Sequence, residues 1–164
     1  MNQKTREIVI TSLCIAMIFI ATMFIKIPNA FHGYINLGDG FILLSGCLLK
    51  PSYAFLAGGL GSGLADIAGG YGYYFIFTLI IKGFEGWIVS YVSKKSERKT
   101  TRILSYFIGS IIMIAGYFIA DFLINQSIWI GLASVWGNLF QAGMGLIISV
   151  IGYPIIRKLW PIHH

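Results

Sequence analysis

The stretch Thr78-Leu79-Ile80-Ile81-Lys82-Gly83-Phe84-Glu85-Gly86 decides how this chain is read. Nearly every residue between Ile8 and Ile156 is apolar, yet this run carries two charges at its middle. A charged side chain at the centre of a membrane helix costs roughly 2.5–3.5 kcal/mol even on the lenient insertion scale. Packing alone does not offset such a cost, so Lys82 and Glu85 mark a polar interior. A mutual i, i+3 pair between them is the plainer account, and a functional role is the default for intramembrane charges.

Composition points the same way. Of 164 residues, 57% are hydrophobic and 11% charged, and the mean hydropathy is +0.79. A soluble domain carries about 25% charged residues, so the soluble class is excluded. The length suits one domain over residues 1–164, used up by helices of about 20 residues each. Cys14 and Cys47 both fall in apolar runs, with neither metal-site nor C-x-x-C spacing, and read as small packing residues.

Six spans are expected, at about Ile8–Ile27, Ile35–Leu49, Tyr53–Gly70, Tyr73–Val92, Ile103–Ile124 and Ile130–Ile156. The fold class is thus an all-α, multi-pass protein of the cell membrane, a compact six-transmembrane-helix bundle in the lipid bilayer. With six spans, ten of the twelve basic residues fall on one side: Lys4, Arg6, Lys50, Lys94, Lys95, Arg98, Lys99, Arg102, Arg157 and Lys158. Lys26 falls on the other side and Lys82 is inside. The positive-inside rule then puts both termini and the 94–102 loop in the cytoplasm. It also explains that basic loop without a nucleic-acid partner. His163 and His164 receive no role.

The remaining polar residues cluster by depth toward the outer leaflet. Residues three and four apart share a helix face. Tyr74, Thr78, Lys82 and Glu85 form one stripe; Ser110, Tyr117, Asp121 and Asn125 a second; Ser134, Asn138, Gln141 and Gly145 a third. Three such stripes can enclose an outward-opening pocket. Interhelical hydrogen bonding is the plain account for any single Asn or Ser. The candidate ligand-binding residues are Tyr34, Asn36, Asp39, Tyr74, Thr78, Lys82, Asn138 and Gln141, covered by the Pro28–Tyr34 loop. Lys82 is expected to donate to a ligand oxygen or ring nitrogen, with the amides fixing orientation. Asp66, Glu85 and Asp121 are expected to form a supporting polar network. In the third span Ala57, Gly61, Ala65 and Gly69, and one position on Gly58, Ser62, Asp66 and Gly70, repeat every four residues. That spacing lets backbones approach closely. Trp136 lies opposite Asn138 and Gln141 on its helix and should face lipid or a partner.

Several chemistries lack their residues. There is no G-x-x-x-x-G-K-[ST] phosphate loop, no H-E-x-x-H and no histidine within a span. Ser62, in Gly61-Ser62-Gly63, has no base to activate it. No enzyme activity, catalytic residue, metal or cofactor is expected.

Three motifs in order resemble a known family: Gly33-Tyr-Ile-Asn-Leu-Gly-Asp39-Gly40, Ala57-Gly-Gly-Leu-Gly-Ser-Gly-Leu-Ala-Asp66, and Leu79-Ile-Ile-Lys82-Gly-Phe-Glu85-Gly86. The chain is similar to the S components of energy-coupling factor (ECF) vitamin transporters, in the branch with riboflavin, hydroxymethylpyrimidine and pyridoxine subunits. The resemblance implies a high-affinity substrate-capture subunit that binds a vitamin or precursor from outside. It would work with a transmembrane T subunit and two ATPase subunits, and topple in the membrane to release substrate inward. Docking in such families uses a small-x-x-x-small motif on the first helix, and the matching positions here are Ser12 and Ala16. A small cavity with flanking tyrosines suits a planar heteroaromatic ligand of hydroxymethylpyrimidine or pyridoxine type, with riboflavin as runner-up. The competing reading is a self-contained, proton-coupled secondary transporter with Asp66, Lys82 and Glu85 as its relay.

Overall fold

A computed structural model describes residues 2–28 and 34–159. The tip of the loop expected to cover the ligand, residues 29–33, lies outside the described residues, as do His163 and His164. Helix α1 (Gln3–Phe24) is followed by an antiparallel ribbon of β1 (Lys26–Pro28) and β2 (Tyr34–Asn36), then α2 (Gly38–Leu48) and α3 (Pro51–Ala68). A 3-10 turn (Gly72–Tyr74) leads into α4 (Phe75–Ser93), and α5 (Lys99–Asn125) and α6 (Ile128–Leu159) complete the bundle.

The ends of these helices follow from local chemistry. The Asn2 side chain accepts the backbone N–H of Thr5 at 3.0 Å and caps α1. Pro51, with no N–H to lose, opens α3. Gln126, in the left-handed conformation at φ 52°, closes α5. The ribbon was not expected. The second span was read as helical from Ile35, whereas Ile35 pairs with Ile27 in a strand, and the helix begins only at Gly38. Asn36 makes the switch, since its side-chain oxygen accepts the backbone N–H of Gly38 at 2.8 Å.

Four segments are long and apolar enough to cross a bilayer: Gln3–Phe24, Gly72–Ser93, Lys99–Asn125 and Ile128–Lys158. Helix α2 has 11 residues, about 16 Å of rise, roughly half a bilayer core. It compensates by sitting in the centre. All its residues from Gly38 to Cys47 are buried except Phe41, which is partly so. A helix apolar on every face is one surrounded by protein. Ile42 packs with Cys14, Ile18, Ala54 and Ala57 of α1 and α3, while Leu43, Leu44 and Cys47 pack with Val89, Tyr106 and Tyr153 of α4, α5 and α6.

Helix α3 fits between α1 and α4 because it has little side chain. A Cβ at Gly59 would lie 2.6 Å from the carbonyl oxygen of Leu79, and one at Gly86 of α4 would lie 2.5 Å from that of Ala54. At these distances only glycine allows the two backbones to meet. The outer surface is the reverse of a soluble protein's. Leu13, Met17, Ile20, Ile76, Ile80, Ile111, Ile119 and Ile147 are all exposed. Trp136 is 76% exposed, on the outside as expected. The interior buries Asp39, Asp66, Lys82, Glu85, Asp121 and Gln141. In lipid this arrangement leaves polar groups their only hydrogen-bonding partners, inside the bundle.

Candidate functional site

At the end of the bundle that holds the ribbon, away from both termini, β2 crosses above the polar stripes of α4, α5 and α6. Tyr34 leaves the ribbon and donates its hydroxyl to Asp66 Oδ1 on α3 at 2.6 Å. Burial and the neighbouring Asp66 carboxylate push the Tyr34 phenol well above its ordinary pKa, so it stays a donor. The donor to Asp66 thus comes from a strand and not from a neighbouring helix. Two residues on, Asn36 gives both its backbone N–H (2.8 Å) and its side-chain amide (3.3 Å) to Gln141 Oε1 of α6. The ribbon is thus bound at one side to α3 and at the other to α6.

Between these anchors lies a narrow cleft. It is lined by Tyr34, Asn36, Asp66, Tyr74, Thr78, Tyr117, Asp121, Ser134, Asn138 and Gln141. Its empty space is about 420 Å³, open solvent at its mouth included. Tyr74 donates its hydroxyl to Asp121. Thr78 and Tyr117 share a hydrogen bond of 3.0 Å in which either hydroxyl can donate. The Tyr74 and Tyr117 rings meet edge to face at 6.4 Å, leaving an aromatic wall on which a flat molecule can stack.

One layer deeper is an ion cluster. Lys82 is 1% exposed and Glu85 is fully buried. The Lys82 ammonium pairs with Asp39 Oδ1 of α2 and lies 3.4 Å from Glu85 Oε2. The other Asp39 oxygen accepts Gln141 Nε2 at 2.8 Å. Lys82 Nζ also lies 5.3 Å from the centre of the Tyr117 ring, a cation–π distance. The chain Asn36–Gln141–Asp39–Lys82–Glu85 therefore ties the roof of the cleft to its floor.

Of the eight residues expected to touch ligand, six line the cleft: Tyr34, Asn36, Tyr74, Thr78, Asn138 and Gln141. Asp39 and Lys82 do not. Lys82 was expected to donate to the ligand, but two carboxylates already hold its ammonium, and its place is in the floor. Asp66 and Asp121, expected in the supporting network, are in the wall itself, while Glu85 stays in the network beneath. Tyr117 and Ser134 were on the predicted stripes but not among the candidates. The same i, i+4 spacing that put Asp121 and Asn138 on those stripes could have named them.

Comparison with known proteins agrees with this architecture. The model of the family described as ECF-type riboflavin transporter, S component, matches residues 2–159. A protein of Pyrococcus woesei described as "Uncharacterized protein in gap 3'region" is 36% identical over 145 residues, covering 87% of this chain and 97% of that protein. The thiamine precursor transporter HmpT of Lactococcus lactis subsp. cremoris (strain MG1363) is 24% identical over 160 residues, covering 96% and 91%. Among solved structures, the S-component for biotin from an ECF-type ABC transporter superposes with a TM-score of 0.68 at 22% identity, over 96% of this chain and 92% of that one. At that identity the last likeness speaks for the fold alone. The chain belongs to the family of ECF-type riboflavin transporter S components, and is an integral membrane, substrate-binding subunit of a vitamin transporter rather than an enzyme.

Proposed function

We propose that this subunit captures a small planar heteroaromatic vitamin or precursor, of hydroxymethylpyrimidine or pyridoxine type, for an ATP-driven importer. Both termini are cytoplasmic in this reading, so the cleft opens outward. A transmembrane T subunit and two ATPase subunits supply the energy step, and α1 docks to them through Ser12 and Ala16. The observation that carries the reading is the narrow, tyrosine-walled polar cleft at the ribbon end. The likeness to a thiamine precursor transporter supports a pyrimidine. Tyr34, Tyr74 and Tyr117 would supply stacking. The Asn138 amide makes no hydrogen bond to another described residue and would orient the ring.

Mass spectrometry of small molecules retained by the purified chain tests this directly. A pyrimidine or pyridine vitamer in the bound fraction is the expected outcome, and a non-aromatic solute would refute it. Coupling is tested separately. The subunit should co-isolate with T and ATPase subunits, and should not take up ligand alone in liposomes under a proton gradient. Uptake by the lone chain would favour the secondary-transporter reading.

A further inference from the structure

A second recess, at the other end of the bundle, is larger than the cleft. Its empty space is about 1490 Å³, open solvent included. It exists because α2 stops short. Helix α1 packs on α2 and α3, and α6 on α2 and α5, but α2 ends at Leu48. Where it has ended, Leu48 and Leu49 line a groove between α1 and Ile156 of α6. The groove is graded along α1. Arg6 and Glu7 come first, joined by Lys50 and Lys94 from the segments that follow α2 and α4; Ile10, Leu13 and Met17 come after. Ser12 and Ala16 do not line it, so it is a different surface of α1 from the track proposed above for docking.

The charged end does not balance. Three cations meet one carboxylate, Glu7, and Lys50 already holds that at 2.6 Å. The Lys94 ammonium makes no hydrogen bond or ion pair with another described residue. Partial burial and the nearby Lys50 ammonium hold Lys94 below the usual lysine range, the mark of a cation short of a counter-ion. The apolar end has the matching length. From Arg6 to Met17 the helix rises about 16 Å, close to the hydrocarbon depth of one leaflet. Charge and apolar wall thus stand at the depths of a lipid's head group and its chain.

We propose that this groove binds an anionic phospholipid of the adjoining leaflet, its phosphate between Arg6 and Lys94 and one acyl chain along Ile10, Leu13 and Met17. Lysines and arginines at the membrane surface attract anionic head groups in this way. A zwitterionic lipid brings its own cation to the same place and gains less. An apolar helix would cover the wall and leave the cations uncompensated.

Native mass spectrometry of the purified full chain in a neutral detergent tests this by titration with dioleoyl-phosphatidylglycerol and dioleoyl-phosphatidylcholine. The first is expected to bind about fivefold or more tightly, the effect of at least one basic side chain at the surface. Lys94→Gln should weaken the phosphatidylglycerol complex about fivefold and leave the phosphatidylcholine complex unchanged. Lys99→Gln removes a charge at the same end that does not line the groove, and should change neither. Glycerophosphoglycerol, the head group without acyl chains, should not compete. Equal binding of the two lipids overturns the inference, and so does an equal loss in both variants, which would reveal diffuse surface charge. Competition by the bare head group would make this a phosphate site without a lipid. A dimer that excludes phosphatidylglycerol and dissociates with Lys94→Gln would give the groove to a second copy of the chain.

Discussion

Lys82 sits inside the bundle beside two carboxylates and one aromatic ring, which replace the water it has lost. Removing only the lysine strands Asp39 and Glu85, and breaking a buried pair costs about 3–5 kcal/mol. Lys82→Met should therefore lower the thermal midpoint sharply. The double variant Lys82→Met with Asp39→Asn should recover part of the loss, since it removes a charge along with its partner. A double variant no more stable than Lys82→Met would show that the pair is not the coupled unit the geometry describes. The cleft residues divide in a second way. Asn138 is half-buried and makes no hydrogen bond to another described residue, whereas Gln141 holds both Asn36 and Asp39. Asn138→Ala should weaken ligand binding about tenfold with a midpoint close to wild type, while Gln141→Ala should damage both, as read by calorimetry and thermal unfolding. An Asn138→Ala variant that binds normally would place the ligand elsewhere. At this scale the sequence was informative about which residues are inside and silent about which pair with which. Lys82 and Glu85 are visible as a pair because they lie three apart on one helix. Asp39 is 43 positions away, and no periodicity carries that distance.

Long apolar helices announce themselves by composition, and the predicted spans match α1, α3, α4, α5 and α6 to within a few residues at most ends. The ribbon is another matter. Each of its strands has three residues, too few to show alternation, and Ile35 merges with the apolar run of α2. The physical signal present was Asn36, a turn former two residues before a glycine-rich helix start, and it was read as a polar helical residue. The glycine stripe of α3 was legible as close packing, though not which neighbour it meets. Gly59 faces α4, while Gly61 faces Ile18 of α1. This seam gives a sharp contrast. Gly86→Leu would drive a side chain into the Ala54 carbonyl and separate α3 from α4, so it should leave little monodisperse protein by size-exclusion chromatography. Gly143 has open space where a Cβ would go and no positive φ, so Gly143→Ala should be tolerated and slightly favour the helix. Loss of fold in the second variant, or its survival in the first, would contradict the packing described.

The whole molecule has an axis with chemistry at one end and basic charge at the other. Among the described residues, Lys50 pairs with Glu7 at 2.6 Å and Arg157 with Glu97 at 3.3 Å, both at the end that holds the start of α1 and the last turns of α6. If that end is cytoplasmic, a cysteine placed at Ser96 should react with impermeant reagent only from inside, against a background of two buried native thiols. Labelling from outside would invert the transporter and point the cleft inward.

The proposed docking surface belongs to the same scale, because it must be reachable without disturbing the cleft. Ser12 and Ala16 are both exposed, one turn apart on α1. The Ser12 hydroxyl donates to the Ile8 carbonyl of its own helix at 3.0 Å, so the residue needs no partner to sit in lipid. Leu13, Met17 and Ile20 are exposed beside them, and together they form an apolar face with a shallow track of small residues. Helices join in lipid chiefly by van der Waals contact across such tracks. A bulky side chain in the track holds the partner away and forfeits that contact. No residue of α1 lines the cleft, and the ribbon anchors, Asp66 and Gln141, belong to other helices. Ser12→Trp combined with Ala16→Trp should therefore abolish uptake by the reconstituted transporter while leaving ligand affinity of the isolated subunit within about twofold of wild type. Lost ligand binding in a complex that still assembles would mean that this face of α1 packs inside the bundle, and the exposure described here would be wrong.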